Sequence, residues 1–344
     1  LYGIAQDMIE IENEIAPISQ LNVYSLYGIT EETLEPNPDA LVEVDNLIFD
    51  IQDVGARYYT FIYTMAKCMD VCKKSDTRMI VCDRPNPING VSLEGNLVAE
   101  NYRSFVGQYP LPNRHAMTVG ELALFFNHEV NIGCELKVVP MTHWNRKQWY
   151  DETRLNWVPP SPNIPTLDTA MVYPGMCLVE GTQLSEGRGT TRPFENFGAP
   201  FIDPQRLAKR IQNDIAQLPG VIFRPQFFKP MFQKHKNEVC GGLQIYVTDR
   251  NRFKPLLTTI ALLRAVAELY PKKFKWRTKK YEFVSDRLAV DLLYGNTELR
   301  KTILNDSFSL ANIEESWQAE LDSFKKLLYQ LVESQLRIQT TNKY

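Results

Sequence analysis

The run Asn46-Leu-Ile-Phe-Asp50-Ile is apolar up to a carboxylate and reads as a buried strand. From Thr60 to Lys74, Phe61, Ile62, Met65, Met69 and Val71 fall at helical spacing, and Arg78-Met-Ile-Val-Cys-Asp83 predicts a second short strand. Strand, helix, strand is a βαβ unit, which favours a parallel sheet with a right-handed crossover. Asp50 and Asp83 then lie together at the C-terminal ends of the strands, the edge where open α/β sheets bind ligands. Thr118-Val-Gly-Glu121 has the spacing of a capping box, so a helix should run from there to about Glu129, with Glu121 structural rather than catalytic. Glu135 to Pro140 predicts another strand. The apolar Met176-Cys-Leu-Val179 predicts one more, with Glu180 where it emerges.

Between residues 85 and 204 prolines cluster, including Pro159-Pro-Ser-Pro162-Asn163-Ile-Pro165, and hold loops stiff in a way that suits a preformed cleft. After Phe201 the elements shorten: a helix near Gln205 to Gln217, strands near Val221 to Arg224 and Gly242 to Val247, and a helix near Pro255 to Leu269. Trp317, Leu321, Phe324, Leu328 and Leu331 recur at helical spacing, a stripe expected to pack into the core. The change of pattern puts a domain boundary near residue 200, in an α/β chain with a parallel sheet in its first part.

The chain has 344 residues, 44% apolar and 23% charged, enough for two moderate cores. Lys and Arg number 38 against 41 Asp and Glu, and the net charge of -3 offers nothing to a polyanion, so nucleic acid is disfavoured. No apolar run reaches the roughly 18 residues needed to span a bilayer. The cysteines at 68, 72, 82, 134, 177 and 240 are scattered without paired motifs or a histidine cluster, which predicts buried free thiols and no metal site. No phosphate-binding loop, dinucleotide fingerprint or serine-nucleophile elbow is present.

The densest chemistry lies from Glu180 to Glu195, where three carboxylates, two arginines and three glycines share one stretch. It forms either a solvated loop with internal salt bridges or a pocket for a small polar ligand. Desolvation after the apolar run would raise the pKa of Glu180 and suit it to general acid work, while Arg188 would favour the ionised form of Glu186. Carboxyls pushed apart in this way supply the acid and base of a glycosidase. Asp50, Asp53 and Arg57 either converge on sugar hydroxyls or tie their loop down; Gly55 permits a tight turn, and Tyr58-Tyr59 offers aromatic faces for a pyranose. Asn86, held between two prolines, is a rigid donor and acceptor or simply part of a turn. His115, at the entrance to the capped helix, is a proton or hydrogen-bond donor or a structural histidine.

Taken together, Phe49 to Thr60, Cys82-Asp-Arg-Pro-Asn-Pro87, Ser104 to Glu121, Trp157 to Thr166 and Tyr173 to Pro200 resemble the exo-β-N-acetylmuramidases of bacterial peptidoglycan turnover. The resemblance implies a Rossmann-like catalytic domain over 1–200 without a dinucleotide, a smaller α+β auxiliary domain over 201–344, and a cleft between them. It implies release of terminal N-acetylmuramic acid from the non-reducing end of muropeptides or disaccharides, with no cofactor or metal, in the periplasm or outside the cell. Matched positions put Gln52, Arg57, Arg84, Asn86, His115, Glu180, Glu186 and Arg188 near the cleft. Glu180, Glu186 and Asp53 are the expected catalytic carboxylates, and Asp50, Tyr58 and Asn163 join the substrate-binding set. Arg57 or Arg188 is expected to grip the lactyl carboxylate of the muramyl sugar.

Two departures from the family pattern stand out. Members carry a strand-helix segment ending in Pro-Glu-His-Gly before the part resembling Leu1 to Met8, and its glutamate is a candidate acid; this chain starts after it. Ala116 stands where the family has glycine, which narrows the expected pocket. The alternative expectation is a muropeptide-binding protein without catalysis. A weaker one is a phosphoryl or acyl transferase using Gly187-Arg188-Gly189 for an anion.

Overall fold

The computed structural model describes residues 14–15, 22–27 and 30–341; the Leu1 to Met8 stretch lies outside them. A short antiparallel pair, β1 (Glu14–Ile15) and β2 (Asn22–Val23), precedes a parallel sheet of β3 (Asn46–Phe49), β4 (Arg78–Cys82) and β5 (Leu136–Val139), in that order. Helix α1 (Phe61–Ser75) connects β3 to β4, and α2 (Val119–His128) lies between β4 and β5, each within a few residues of the predicted bounds. Both halves of the Thr118–Glu121 capping box form, at 3.2 and 3.0 Å, so Glu121 is structural. Phe49, Met79 and Val81 face α1 and α2 in one core. The strand expected to be buried is only half so: among the described residues these helices cover one face, and Ile48 on the other is 62% exposed.

Helix α3 (Leu167–Met176) leads into the second half. There β6 (Asn196–Ala199), β8 (Cys240–Val247) and β7 (Val221–Phe228) form an antiparallel sheet in that spatial order. Helix α4 (Pro204–Ile211) ends earlier than expected, at a break before a short turn at Ile215–Gln217. Helices α5 (Pro255–Leu269), α6 (Ala289–Tyr294), α7 (Glu298–Thr302) and α8 (Leu310–Thr341) complete the chain. The predicted stripe on α8 is buried but serves two cores: Trp317 and Leu321 join the second, Phe324, Leu328 and Leu331 the first. Five cysteines are buried and all six are free thiols. No described helix is long and apolar enough to cross a membrane.

Two buried charges link the halves. Glu94, 7% exposed, accepts from the backbone N–H groups of Leu256 and Leu257 at 3.2 and 2.9 Å, capping α5 where its own N-cap, Lys254, makes no side-chain cap. Arg57, fully buried, donates to Leu293 O and Tyr294 O at 2.9 and 2.6 Å, the C-terminal end of α6, and to Asn96 O and Leu111 O. A carboxylate at a helix N-terminus and a guanidinium at a C-terminus both oppose the local dipole.

Burial pushes the Glu94 carboxyl from 4.5 up to about 7, against the pull of those two N–H groups and of Arg114. The folded state therefore holds this proton more tightly than the unfolded chain, and its contribution to stability falls as pH rises from about 4.5 through about 7. In Glu94→Gln that part of the pH slope, about 3 kcal/mol, should vanish, as read from denaturant midpoints at pH 5 and pH 8.

Candidate active site

The carboxylate-rich stretch does not follow a strand. Thr166 caps α3 by accepting from Thr169 N at 3.2 Å, and the apolar residues expected to form a strand are the end of this helix and a tight 3-10 turn, Cys177–Gly181. A helix buried on every side has no polar face and loses the periodicity that would identify it. Gly175 lets α3 meet the start of α5, where an added Cβ would lie 1.9 Å from Pro255 O. Gly181 lets the turn meet α6, where a Cβ would lie 2.7 Å from the Val290 backbone. Packing on these two helices fixes where Glu180 stands.

Glu180, Glu186 and Arg188 converge. Arg188 Nη2 donates to Glu180 Oε1 at 2.6 Å, and its Nε lies 3.7 Å from Glu186 Oε1. The guanidinium sits over the Phe194 ring at 5.1 Å. Two partners come from distant sequence: Lys234 Nζ donates to Glu186 Oε2 at 2.8 Å and to two carbonyls, Val179 O and Leu184 O, and the Tyr281 hydroxyl donates to Glu180 Oε2 at 2.9 Å. Glu180 is thus met by a guanidinium and a phenol rather than by the apolar wall expected. Burial of Glu186 works against its charge, but Lys234 and Arg188 together outweigh it and hold the carboxyl below its ordinary value, as its proximity to Arg188 led us to expect.

A further carboxyl, Glu282, escaped the sequence reading. Burial, and then the charge of Glu180, push it above its ordinary value. It lies in the turn closed by Tyr281 N to Val284 O and Val284 N to Tyr281 O, both 2.9 Å, with φ of +42° at Glu282 and +66° at Phe283. Such turns normally take Gly, Asn or Asp, and the backbone cost here is borne by residues with large side chains.

A second locus lies at the C-terminal edge of the parallel sheet. Asp53 Oδ2 accepts from Gly55 N at 2.7 Å and lies 3.2 Å from His115 Nε2. His115 Nδ1 accepts from Met117 N at 3.1 Å, so the neutral ring carries its proton on Nε2, facing Asp53. Gln52 Nε2 donates to Asp53 O and Pro85 O at 2.7 and 2.8 Å. Asn86 takes the turn role: its Oδ1 accepts from Ile88 N at 3.1 Å and its Nδ2 donates to Met117 O at 2.9 Å. Ala116, at the glycine position, has a φ of +55° and is fully buried, so the substitution is felt in the backbone. Tyr59 and Tyr173, their rings 6.1 Å apart, stand between the two loci, and Tyr173 stacks edge-on with Phe194 at 4.8 Å.

The expected convergence of Asp50, Asp53 and Arg57 does not occur, because the segment is irregular and sends each side chain a different way. Asp50 pairs with Arg84 at 2.7 Å on the half-exposed rim. Arg57 spends both of its terminal nitrogens on backbone carbonyls and is unavailable to a ligand carboxylate. Tyr58, 3% exposed, donates its hydroxyl to Pro174 O and offers no sugar platform. Asn163 is buried in the proline loop, its N–H directed at Ser161 Oγ at 3.3 Å. Among the described residues no three His, Cys, Asp or Glu side chains are grouped to hold a metal ion.

Residues 1–168 match the family described as exo-beta-N-acetylmuramidase NamZ, N-terminal, and residues 171–332 match its C-terminal counterpart. The chain is 45% identical over 324 residues to the peptidoglycan beta-N-acetylmuramidase NamZ of Bacillus subtilis, covering 94% of this chain and 75% of that protein. A crystal structure of a DUF1343 family protein from Bacteroides fragilis has TM-score 0.82 and 34% identity, with 92% of this chain and 81% of that one covered. A second from the same organism has TM-score 0.68 and 27% identity, with 91% and 80% covered.

Removing one partner of a buried ion pair costs about 3 kcal/mol or more. Lys234→Met should lower stability by that order at pH 7, and the gap to wild type should narrow on acidification, because a carboxyl held low in the fold loses its contribution as it is protonated. Urea midpoints at pH 7 and pH 3.5 check this.

Proposed function

The chain belongs to the exo-β-N-acetylmuramidase NamZ family, and on that premise we propose that the buried Glu180–Arg188–Glu186–Lys234 network is the centre of its glycosidase site. It is a glycoside hydrolase that releases terminal N-acetylmuramic acid from the non-reducing end of peptidoglycan fragments. The observation that carries the site assignment is the meeting of two carboxyls on one guanidinium, Glu180 and Glu186 at 2.6 and 3.7 Å from Arg188, with Tyr281 closing on the first and Lys234 on the second. The charges around Glu186 favour its ionised form, and burial and Glu180 favour the protonated form of Glu282.

Glycoside hydrolysis needs one carboxyl that is ionised at the working pH and one that still carries a proton. In this reading Glu186 is the ionised partner and Glu282 the proton donor. Glu180, anchored by Arg188 and the Tyr281 hydroxyl, orients both. Residues 1–200 supply Glu180, Glu186 and Arg188, and residues 201–344 supply Lys234, Tyr281 and Glu282, so the site is made at their junction. Asp53 and His115, both buried, back the sheet edge beyond the tyrosines, and Gln52, half-buried in front of them, is the residue of this locus assigned to the sugar. With Arg57 committed to carbonyls, Arg188, itself paired with Glu180 and Glu186, is the arginine that stands in the site and the one we assign to the lactyl carboxylate. A peptidoglycan substrate supports a periplasmic or extracellular setting for this chemistry.

Leaving groups separate the two roles. An aryl muramide needs no protonation on departure, whereas a natural disaccharide does. Glu186→Gln should lose about 100-fold or more in kcat on both substrates. Glu282→Gln should lose as much on the disaccharide and much less on the aryl muramide. A Glu186→Gln enzyme with full activity refutes the centre; a Glu180→Gln enzyme showing the leaving-group split in place of Glu282→Gln moves the acid to Glu180. Arg188→Lys should narrow the kcat/KM preference for muramides over N-acetylglucosaminides.

A further inference from the structure

A cavity of about 670 Å³ opens on the far side of the loop that carries Glu186 and Arg188, over the second sheet. Its floor is a row of carboxamides set by the strand register: Asn196 lies opposite Gln244, and Gln226 reaches across from β7 to donate to Asn196 Oδ1 at 2.5 Å. Asn196 and Gln244 are 5% and 7% exposed, so these polar groups are built into the wall rather than left on the surface. Phe232 lines one side, and Arg192 and Lys229 stand at the rim. Arg192 is paired with Glu195 at 3.0 Å, whereas Lys229 takes part in none of the ion pairs formed among the described residues.

The cavity and the carboxylate network are built on the same two loops. The loop from Glu186 turns Arg188 toward Glu180 and, two residues on, Thr190 toward the cavity. The loop after β7 contributes Lys229 and Phe232 to the cavity and then Lys234 to Glu186. The two loops are bonded to each other by Met231 N to Gly189 O at 2.9 Å. Gly189 has a φ of +80°, and an added Cβ would lie 2.8 Å from the Met231 and Phe232 nitrogens, so the close approach needs glycine.

We propose that this cavity is a subsite on the leaving-group side that holds an N-acetylated, carboxylate-bearing amino-sugar unit of the glycan beyond the bond that is cut. The proposal rests on the glycosidase reading above and extends it to the length of chain the enzyme grips. Asn196 spends its carboxamide on Gln226 and Thr190, and Gln244 Oε1 accepts from Tyr246, so the outward pairing with acetamido groups and ring hydroxyls falls to Gln226 Oε1 as acceptor and Gln244 Nε2 as donor. A phenyl ring packs on the apolar face of a pyranose. The rim cations meet a lactyl carboxylate through charge-assisted hydrogen bonds. The volume lies within the roughly 300 to 1,000 Å³ of pockets that enclose small ligands, enough for a sugar with its substituents.

The test compares wild type with Lys229→Ala and Gln226→Ala, at positions outside the carboxylate network, by calorimetry with the disaccharide N-acetylglucosaminyl-N-acetylmuramic acid. Hydrolysis of a chromogenic muramide and of a tetrasaccharide is followed in parallel. The expected result is a disaccharide affinity weakened about tenfold in each variant, a tetrasaccharide KM raised to match with kcat kept, and muramide hydrolysis unchanged. Lys229→Glu, at an exposed position, should weaken binding further and guards against misfolding of the Gln226 variant. Equal disaccharide affinity in wild type and variants overturns the subsite, as does stem-peptide binding that depends on Lys229 while the disaccharide is indifferent to it. If wild type leaves the muramide intact yet binds the disaccharide through Lys229 and Gln226, the subsite stands and the hydrolase reading falls; muramide turnover with no disaccharide binding gives the converse.

Discussion

Two buried charges on loops of the first sheet are each answered by the end of a helix from the second half, and the site takes its position from that exchange. Arg57 meets the carbonyl end of α6 and Glu94 the amide end of α5. A shift of α6 would leave the Arg57 guanidinium uncompensated in the interior, among the costliest single defects a fold can carry, and a shift of α5 would leave the buried Glu94 carboxyl without its two N–H partners. The effect passes on through contact. Helix α6 backs directly against Gly181, the residue after Glu180, and α5 presses on Gly175 of α3 just upstream. The guanidinium expected to hold substrate therefore acts one step removed, by holding the wall on which Glu180 is mounted.

The network around Arg188 shows why so many charges can be taken out of water together. Each has more than one partner, and the partners alternate in sign, from Tyr281 and Glu180 through Arg188 and Glu186 to Lys234. Lys234 also donates to two backbone carbonyls, Val179 O in the 3-10 turn and Leu184 O beyond it, so one ammonium group serves both the loop and the carboxylate. The charges of Lys234 and Arg188 keep Glu186 in the ionised form, and the shared hydrogen bonds hold those charges in place.

Much of the parallel-sheet half was legible because its elements are one-sided. β3, α1 and β4 bury one face, so apolar spacing marks them, while α2 is buried nearly all round and is marked by the side-chain chemistry of its Thr118–Glu121 start. Met176 to Val179, the end of α3 and the turn after it, was misread for the opposite reason: enclosed on every side, it presents an unbroken apolar run that fits a strand equally well. Within the site, Glu186 and Arg188 are near neighbours and could be paired by eye. Lys234 and Tyr281 lie 48 and 101 residues from their carboxylate partners, separations at which no local spacing carries information. Arg57 and Tyr58 show the limit from the other side. Their residue types suit a sugar pocket, but only the fold shows that their polar atoms are already engaged with carbonyls.

Helix α8 bears on how this architecture can be taken apart. Its first turns are sealed into the second core through Trp317, which also donates its indole N–H to the Tyr294 hydroxyl at 3.1 Å, while its later turns close the first core against α2 through Phe324. The boundary that separates the two family matches, between residues 168 and 171, is thus one of ancestry rather than of mechanics. Neither half is a portable module: grafting either onto a foreign scaffold would carry away or strand part of a helix that its former neighbour depends on.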